Sequence, residues 1–348
     1  MKNYSIFAVS ILAIFIINLF SDSIDPYYLT VLVFIGINII LATSLNLING
    51  YTGQFSLGHA GFMAIGAYTS ACTYCYFAPF FIGTFGEGSF GTSMVFIIML
   101  IIGGVSAAIV GLIVGIPSLR LKGDYLAIVT LGFSEIIRVI IQGVDFIGGA
   151  QGFRGVYIYE NGTKSLNMVP ELTGMSNQFY AIKEFTSFFW VFFLAAVCIF
   201  VIYNLIHSTY GRGYLAVKDD EIAAEAMGVN TTKFKVTAFV TGAFFAGIAG
   251  TLFAFFNEYI NPEDFNFLRS VEIVVMVILG GMGSMMGVII AAIVLTILPE
   301  LLREVAEYRM IIYALLLIIM MLLRPQGLFG VRLRRQKKVG KEHDVENT

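Results

Sequence analysis

Long apolar runs alternate with short polar breaks along most of the chain. The runs cover 4–20, 27–48, 58–78, 93–116, 124–142, 186–206 and 234–257, then 265–298 and 308–323. Most hold about 17 to 25 residues with few charges, enough to cross a hydrocarbon core of about 30 Å as a helix. Open strands are excluded as spans, because lipid offers nothing to hydrogen-bond their edges. The pattern predicts an all-α polytopic membrane protein. The first run is long for the apolar part of a signal peptide, and no small-x-small cleavage site precedes Asp22, so it reads as a retained span.

Basic residues orient these runs. Arg324, Arg332, Arg334, Arg335, Lys337, Lys338 and Lys341 follow the last run, Arg120 and Lys122 follow Ile116, and Arg212, Lys218, Lys233 and Lys235 lie within 207–235. Placing these groups and Lys2 in the cytoplasm puts 14 of the 21 basic residues inside. Both termini are then cytoplasmic and the 143–185 connection is external. Parity requires region 265–298 to cross twice, split at Gly280-Gly281-Met282-Gly283-Ser284 into about 265–280 and 284–298. The expectation is about ten membrane segments, some broken or short, forming a transmembrane domain over 1–330, with a basic, disordered cytoplasmic tail over 331–348.

The stretch "GYTGQFSLGHAGF", from Gly50 to Phe62, breaks the pattern with four glycines, hydroxyls, a glutamine and a histidine. Like the break at 280–284, it falls near the cytoplasmic side and precedes a helix of small residues. Gly-interrupted segments at matching places in two halves point to a transporter built from an internal repeat; two ordinary tight connections are the plainer reading. Irregular backbone at membrane depth is tolerated where it faces protein or a water-filled cavity. Gln54, Ser56, His59, Gly281 and Gly283 are therefore candidate path or hinge residues. His59 lacks metal-ligand neighbours at i+3 or i+4, so packing or backbone bonding is its alternative role.

Glu135 and Arg138, three apart in one span, meet on one helix face. They line a path or form a structural ion pair. Glu272 falls near the outer boundary. Gly103, Ala107, Gly111 and Gly115, and likewise Gly242, Ala246 and Gly250, recur every four residues and predict closely packed helices.

Composition agrees with a membrane bundle: 58% of residues are hydrophobic and 13% charged, about half the usual charged share of ~25%. A net charge of −2 gives no nucleic-acid footprint. Cys72, Cys75 and Cys198 lie in apolar runs and read as packing residues; the single CxxC has no second pair at zinc spacing. No metal or catalytic site is expected, since His59, His207 and His343 are scattered and no HExxH or GxSxG occurs. There is also no G-x-x-x-x-G-K-[ST] phosphate loop.

Segment 207–235, "HSTYGRGYLAVKDDEIAAEAMGVNTTKFK", is too polar to span. Asp219, Asp220 and Glu221 are expected to open a helix, where acids suit the dipole, and Gly228 to stop it. Its alanine face suits the groove of another protein or a membrane surface. The 143–185 connection is too long for a turn; it is a docking surface for an external partner or a covering loop.

Five stretches carry a resemblance: "SLNLINGYTGQFSLGHAGFMAIGAY" (44–68), "LKGDYLAIVTLGFSEIIRV" (121–139), "GRGYLAVKDDEIAAEAMGVN" (211–230), "VVMVILGGMGSMMG" (274–287) and "RPQGLFG" (324–330). Together they resemble the permease subunits of ABC importers for branched-chain amino acids, of the LivM type. The resemblance implies a bacterial inner-membrane subunit that works with a second, LivH-like permease, two cytoplasmic ATP-binding subunits holding ATP and Mg, and an extracytoplasmic amino-acid-binding protein. It implies no cofactor in this chain. It makes Arg212, Tyr214, Ala216, Asp219, Ala223, Ala224, Met227 and Gly228 the ATPase-coupling residues, to which the helix-opening Asp220 and Glu221 are added. The broader Glu-Ala-Ala loop of ABC permeases is altered here: Ile222-Ala223-Ala224 replaces it, Glu221 sits one place early and no Leu-Pro follows. A stand-alone, ion-coupled secondary transporter is the rival reading.

Overall fold

The carboxylate of Asp25 accepts from Tyr27 N–H and Pro26 takes the first helical position, a pre-set start for the helix α1 (Pro26–Asn46). The structure is a computed structural model that describes residues 25–86, 88–118, 124–159, 164–166 and 177–305, with Asn18, Ala314, Leu315 and Ile318 beyond them. Apart from these four residues, the expected spans 4–20 and 308–323 lie outside the described residues, as do the basic pair Arg120 and Lys122 and the tail 331–348.

After α1 come α2 (His59–Tyr76), the short α3 (Ala78–Phe85), α4 (Ser89–Ser118) and α5 (Asp124–Gln142). Beyond the long connection come α6 (Phe188–Ile206), α7 (Thr209–Asp219), α8 (Glu221–Ala226) and α9 (Thr231–Asn257). The last two are α10 (Phe267–Gly280) and α11 (Met285–Leu301). Among the described residues, five helical stretches are long and apolar enough to cross a membrane: Pro26–Tyr51, Phe90–Ser118, Tyr125–Gln142, Phe188–Ile206 and Thr231–Asn257. Helix α11 is apolar but shorter.

The long connection adds what the apolar pattern did not foresee, a small antiparallel sheet of β1 (Gly155–Tyr159), β2 (Lys164–Leu166) and β3 (Asn177–Ala181), in the order β2-β1-β3. It is tied to the helices through paired backbone bonds between Phe153 and Ile260, at 2.8 and 3.0 Å. The α9–α10 connection thus sits beneath the sheet. Helices α6 and α9 run in opposite directions, so the sheet lies at one end of the bundle and α7–α8 at the other.

Helix α9 is the hub, buried along most of its length against α1, α2 and α4. Small residues allow the approach. A Cβ on Gly247 would stand 2.4 Å from the carbonyl oxygen of Gly103, and one on Gly66 would stand 2.2 Å from the carbonyl oxygen of Gly247. Both distances are sterically forbidden, so the backbones of α2, α4 and α9 meet directly, as expected of small-residue faces in lipid. Apolar packing fills the sheet-side end, where Tyr74, Phe96, Phe185 and Phe255 form an aromatic cluster of edge-to-face, tilted and stacked pairs.

Candidate functional site: a node of two broken helices

Helix α1 does not end cleanly. Leu47–Tyr51 widens into a π-helical turn, a distortion that clusters at functional sites, and residues 53–58 then run without regular structure to the start of α2. Much of this stretch is buried, and buried amides need partners. The Thr52 hydroxyl donates to Ile48 O at 2.7 Å and Gln54 N–H to the same oxygen at 3.2 Å. Ser56 N–H reaches Asn49 Oδ1 (3.1 Å), and Leu57 N–H reaches the Thr130 hydroxyl on α5 (3.0 Å). Ala60 N–H donates to the Ser270 hydroxyl on α10 (3.3 Å). The polar residues that made this stretch conspicuous are what let it stay irregular inside an apolar bundle.

The second break lies against the first. Gly281 and Gly283 hold φ of 97° and 87°, a left-handed backbone that side chains rarely adopt, and Ser284 caps α11 by accepting from Gly287 N–H. Gly283 N–H donates to Asn46 Oδ1 at 2.9 Å, across the gap to the end of α1. A Cβ on Gly50 would stand 2.4 Å from Gly283 N and 2.0 Å from Asn46 Oδ1. Only glycine fits there.

A third element closes the node. Lys218, in the last turn of α7, donates through Nζ to the carbonyl oxygen of Gly50 at 2.6 Å. Its stem also packs on Gly53, where an added Cβ would sit 3.3 Å from the lysine Cγ. The polar segment 207–235 is thereby joined directly to the first glycine break and, through Asn46, to the second.

That segment is two helices rather than one. Asp219 closes α7, while Asp220, in extended backbone, caps α8 by accepting from Ile222 and Ala223 N–H at 2.9 and 3.0 Å. This corrects the expectation that Asp219 opens the helix: a residue whose own N–H continues the preceding helix cannot cap the next. Gly228 stops α8 as expected, with φ of 81°. An ion pair between Lys235 and Glu221 at 2.5 Å and a hydrogen bond from the Thr231 hydroxyl to Glu225 at 2.6 Å fix α8 to the start of α9.

The coupling candidates divide into two faces. Tyr214 and Ala224 are buried against the chain itself; Tyr214 stands edge-on to Phe234 and its hydroxyl lies 3.3 Å from that of Thr237, with burial holding its pKa above the ordinary phenol value. Arg212, Asp219, Asp220, Ala223, Met227 and Gly228 are exposed, and Ala216 and Glu221 half-buried. Met227, at 83% exposure, and Ile222, at 72%, are apolar side chains that nothing in the chain covers among the described residues.

Of the path candidates, Gln54, Ser56 and His59 are buried in the first break. His59 Nε2 lies 2.8 Å from the Ser44 hydroxyl. The Gln54 amide, Asn46 Nδ2 and His59 Nδ1 are buried without a hydrogen-bonding partner. Glu135 and Arg138 lie elsewhere, on α5. They pair at 2.8 Å, and Arg138 also binds Glu263 in the α9–α10 connection, to which Gln142 donates as well. Sequence reading did not single out Asn46, Lys218, Thr130 or Ser270. Asn46, one helical turn before Gly50, and Lys218, a cation in a last helical turn, were visible, but their partners were not.

A helical bundle with unwound, polar, glycine-lined backbone at its heart and a polar handle at one end defines a multi-pass membrane transport protein. Comparison with known proteins makes that specific. The profile of the family described as branched-chain amino acid transport system / permease component matches residues 27–322, and the chain belongs to this family. The high-affinity branched-chain amino acid transport system permease protein LivM of Escherichia coli (strain K12) is 38% identical over 312 residues, 84% of this chain and 67% of that protein. LivM of Salmonella typhimurium is 37% identical over 314 residues, with the same coverage. The LivH permease protein of Salmonella typhimurium is 30% identical over 162 residues, 46% of this chain and 52% of LivH. No solved structure matches the chain.

Proposed function

We propose that the chain is a membrane-spanning permease subunit of an ATP-driven importer, moving branched-chain amino acids inward across the bacterial inner membrane by alternating access. In this reading it has about ten membrane segments with both termini in the cytoplasm. It pairs with a second, LivH-like permease. Two cytoplasmic ATP-binding subunits, which carry ATP and Mg, grip the exposed face of α7–α8, and an extracytoplasmic binding protein docks on the sheet end. The names of the relatives support the substrate class and the pairing.

The observation that carries the mechanism is the bond from Lys218 to Gly50. A pull on α7 acts directly on the unwound end of α1 and, through Asn46, on the break before α11. A hydrogen bond to a charged group contributes about 1.5–3 kcal/mol. Moving a two-state equilibrium from 1:99 to 99:1 takes about 5.5 kcal/mol of differential binding. The node alone is therefore a link and not a lock; the ATPases must hold the α7–α8 face differently in their two states. The unpaired amide of Gln54 and the neighbouring unpaired atoms fit this picture, since they gain partners when water or substrate enters the opened node. The direct test is purification of the chain with its membrane and cytoplasmic partners, followed by reconstitution. ATP-dependent leucine uptake supports the reading. Uptake by the chain alone, driven by a sodium or proton gradient, overturns it.

A further inference from the structure

Above the node, toward the sheet end, α1, α10 and α11 enclose a groove of about 370 Å³. A water takes about 30 Å³ in the liquid, so the groove holds an amino acid together with some of its hydration. Its floor is a polar chain at the mid-height of α1: Arg269 donates to Asn38 Oδ1 at 2.8 Å, and Asn38 donates onward to the Thr296 hydroxyl at 2.8 Å. Arg269 also reaches Glu272, one turn along α10, at 3.0 Å. Phe34, Met276 and Leu295 supply an apolar wall. None of these was singled out as a path residue except Glu272, noted only for its place near the outer boundary.

An arginine between membrane helices needs a reason. Asn38 and Glu272 engage two of its five N–H donors, and the side chain stays partly open at 18% exposure. Glu272 already shows that a carboxylate can approach this guanidinium, and it is itself 47% exposed and free to swing aside. A planar guanidinium is the group best matched to a carboxylate. Beside it stand a carboxylate suited to an ammonium group and a wall suited to an aliphatic side chain.

We infer that this groove is a transit site for a zwitterionic, aliphatic amino acid, with the substrate carboxylate on Arg269, its ammonium on Glu272 and its side chain against Phe34, Met276 and Leu295. The inference rests on the importer reading and deepens it by placing the substrate. A transit site must bind weakly enough to release, and Glu272 provides the means, because it competes with the substrate for the same guanidinium.

The test uses the complete transporter in proteoliposomes, with Cys72, Cys75 and Cys198 replaced by serine and Thr30→Cys placed on the groove wall. Labelling by a water-soluble thiosulfonate is followed without ATP. Millimolar leucine is expected to slow labelling severalfold, and isopentylamine, which is leucine without its carboxylate, is expected not to. Arg269→Gln, which keeps a donor for Asn38 but loses the charge, should abolish the protection and cut uptake roughly tenfold or more. Arg269→Lys should restore part of the uptake. If the thiol introduced by Thr30→Cys never reacts, because a partner subunit fills the groove, the inference is overturned. So it is by equal protection from leucine and isopentylamine, or by unchanged uptake in Arg269→Gln. Failure of the unsubstituted complex to take up leucine with ATP strikes the importer reading instead, and the labelling arm, which needs no ATP, tells the two failures apart.

Discussion

In the proposed mechanism, Lys218 is the residue on which the two halves meet. Lys218→Met keeps the stem that packs on Gly53 and removes only the charged donor to Gly50. A loss within the usual range for such a bond corresponds to roughly a tenfold fall in uptake. The ATP-binding subunits should still co-purify, because the exposed face of α8 is untouched; measuring uptake and pull-down on the same sample checks both. Asp264 offers a test by pH. Its carboxyl accepts from Asn261 N–H at 3.1 Å, yet burial, the larger effect, holds its pKa above the ordinary carboxylate value. Folding therefore favours the protonated form, and the stability this contributes is complete below the unfolded pKa of about 3.9 and lost as pH rises through the higher folded value. Asp264→Asn is expected to equal or exceed the wild type in melting temperature at neutral pH. The wild type should gain on the variant as pH falls toward about 4, and melting curves across that range decide it.

At the scale of elements, the kink between α7 and α8 is the feature to break. Asp220→Ala removes a cap that satisfies two helix N–H groups, a change that costs about 1 kcal/mol. For a helix of six residues that is enough to fray it. The expected result is an inserted protein that no longer retains its ATP-binding subunits, with Asp220→Asn retaining them; co-purification of the two variants side by side is the check. The same elements show what sequence can carry. The span at 124–142 coincides with α5, and the glycine stop after Met227 holds, because both depend on local apolar runs and on backbone preferences that neighbouring residues set. Which of three consecutive acids caps a helix depends on one backbone torsion, and the alternatives look alike in the sequence. The sheet of the long connection rests on short strands whose pairing no helical periodicity announces. The groove was invisible for a different reason: Asn38, Arg269 and Thr296 come from three helices, and nothing local to any of them names the others. The two glycine breaks were legible separately, whereas the bond from Gly283 to Asn46 spans most of the chain.

For the whole molecule, the groove, the node and the α7–α8 face lie in line from the sheet end to the opposite end, each sharing a helix with the next. A carrier that works alone needs no exposed apolar handle such as Ile222 and Met227. Reconstituted by itself, the chain is expected to show no leucine uptake under a sodium or proton gradient, and uptake is expected to appear when partner subunits and ATP are supplied. Radiolabelled leucine flux into sealed vesicles measures both conditions.

The seam where Gly66, Gly103 and Gly247 bring three backbones together holds little besides peptide groups and the Thr251 side chain, whose hydroxyl is bonded to Gly66 O at 3.3 Å and to Gly247 O at 3.1 Å. Sliding one helix past another requires side chains that can change rotamer, and here peptide groups abut. Helices α2, α4 and α9 must then turn as one stiff slab, and the yielding margin falls where the chain is already unwound, at 47–58 and 281–284. A single methyl added at Gly247 would act as a wedge in the frame, and would spoil the machine without touching anything it carries.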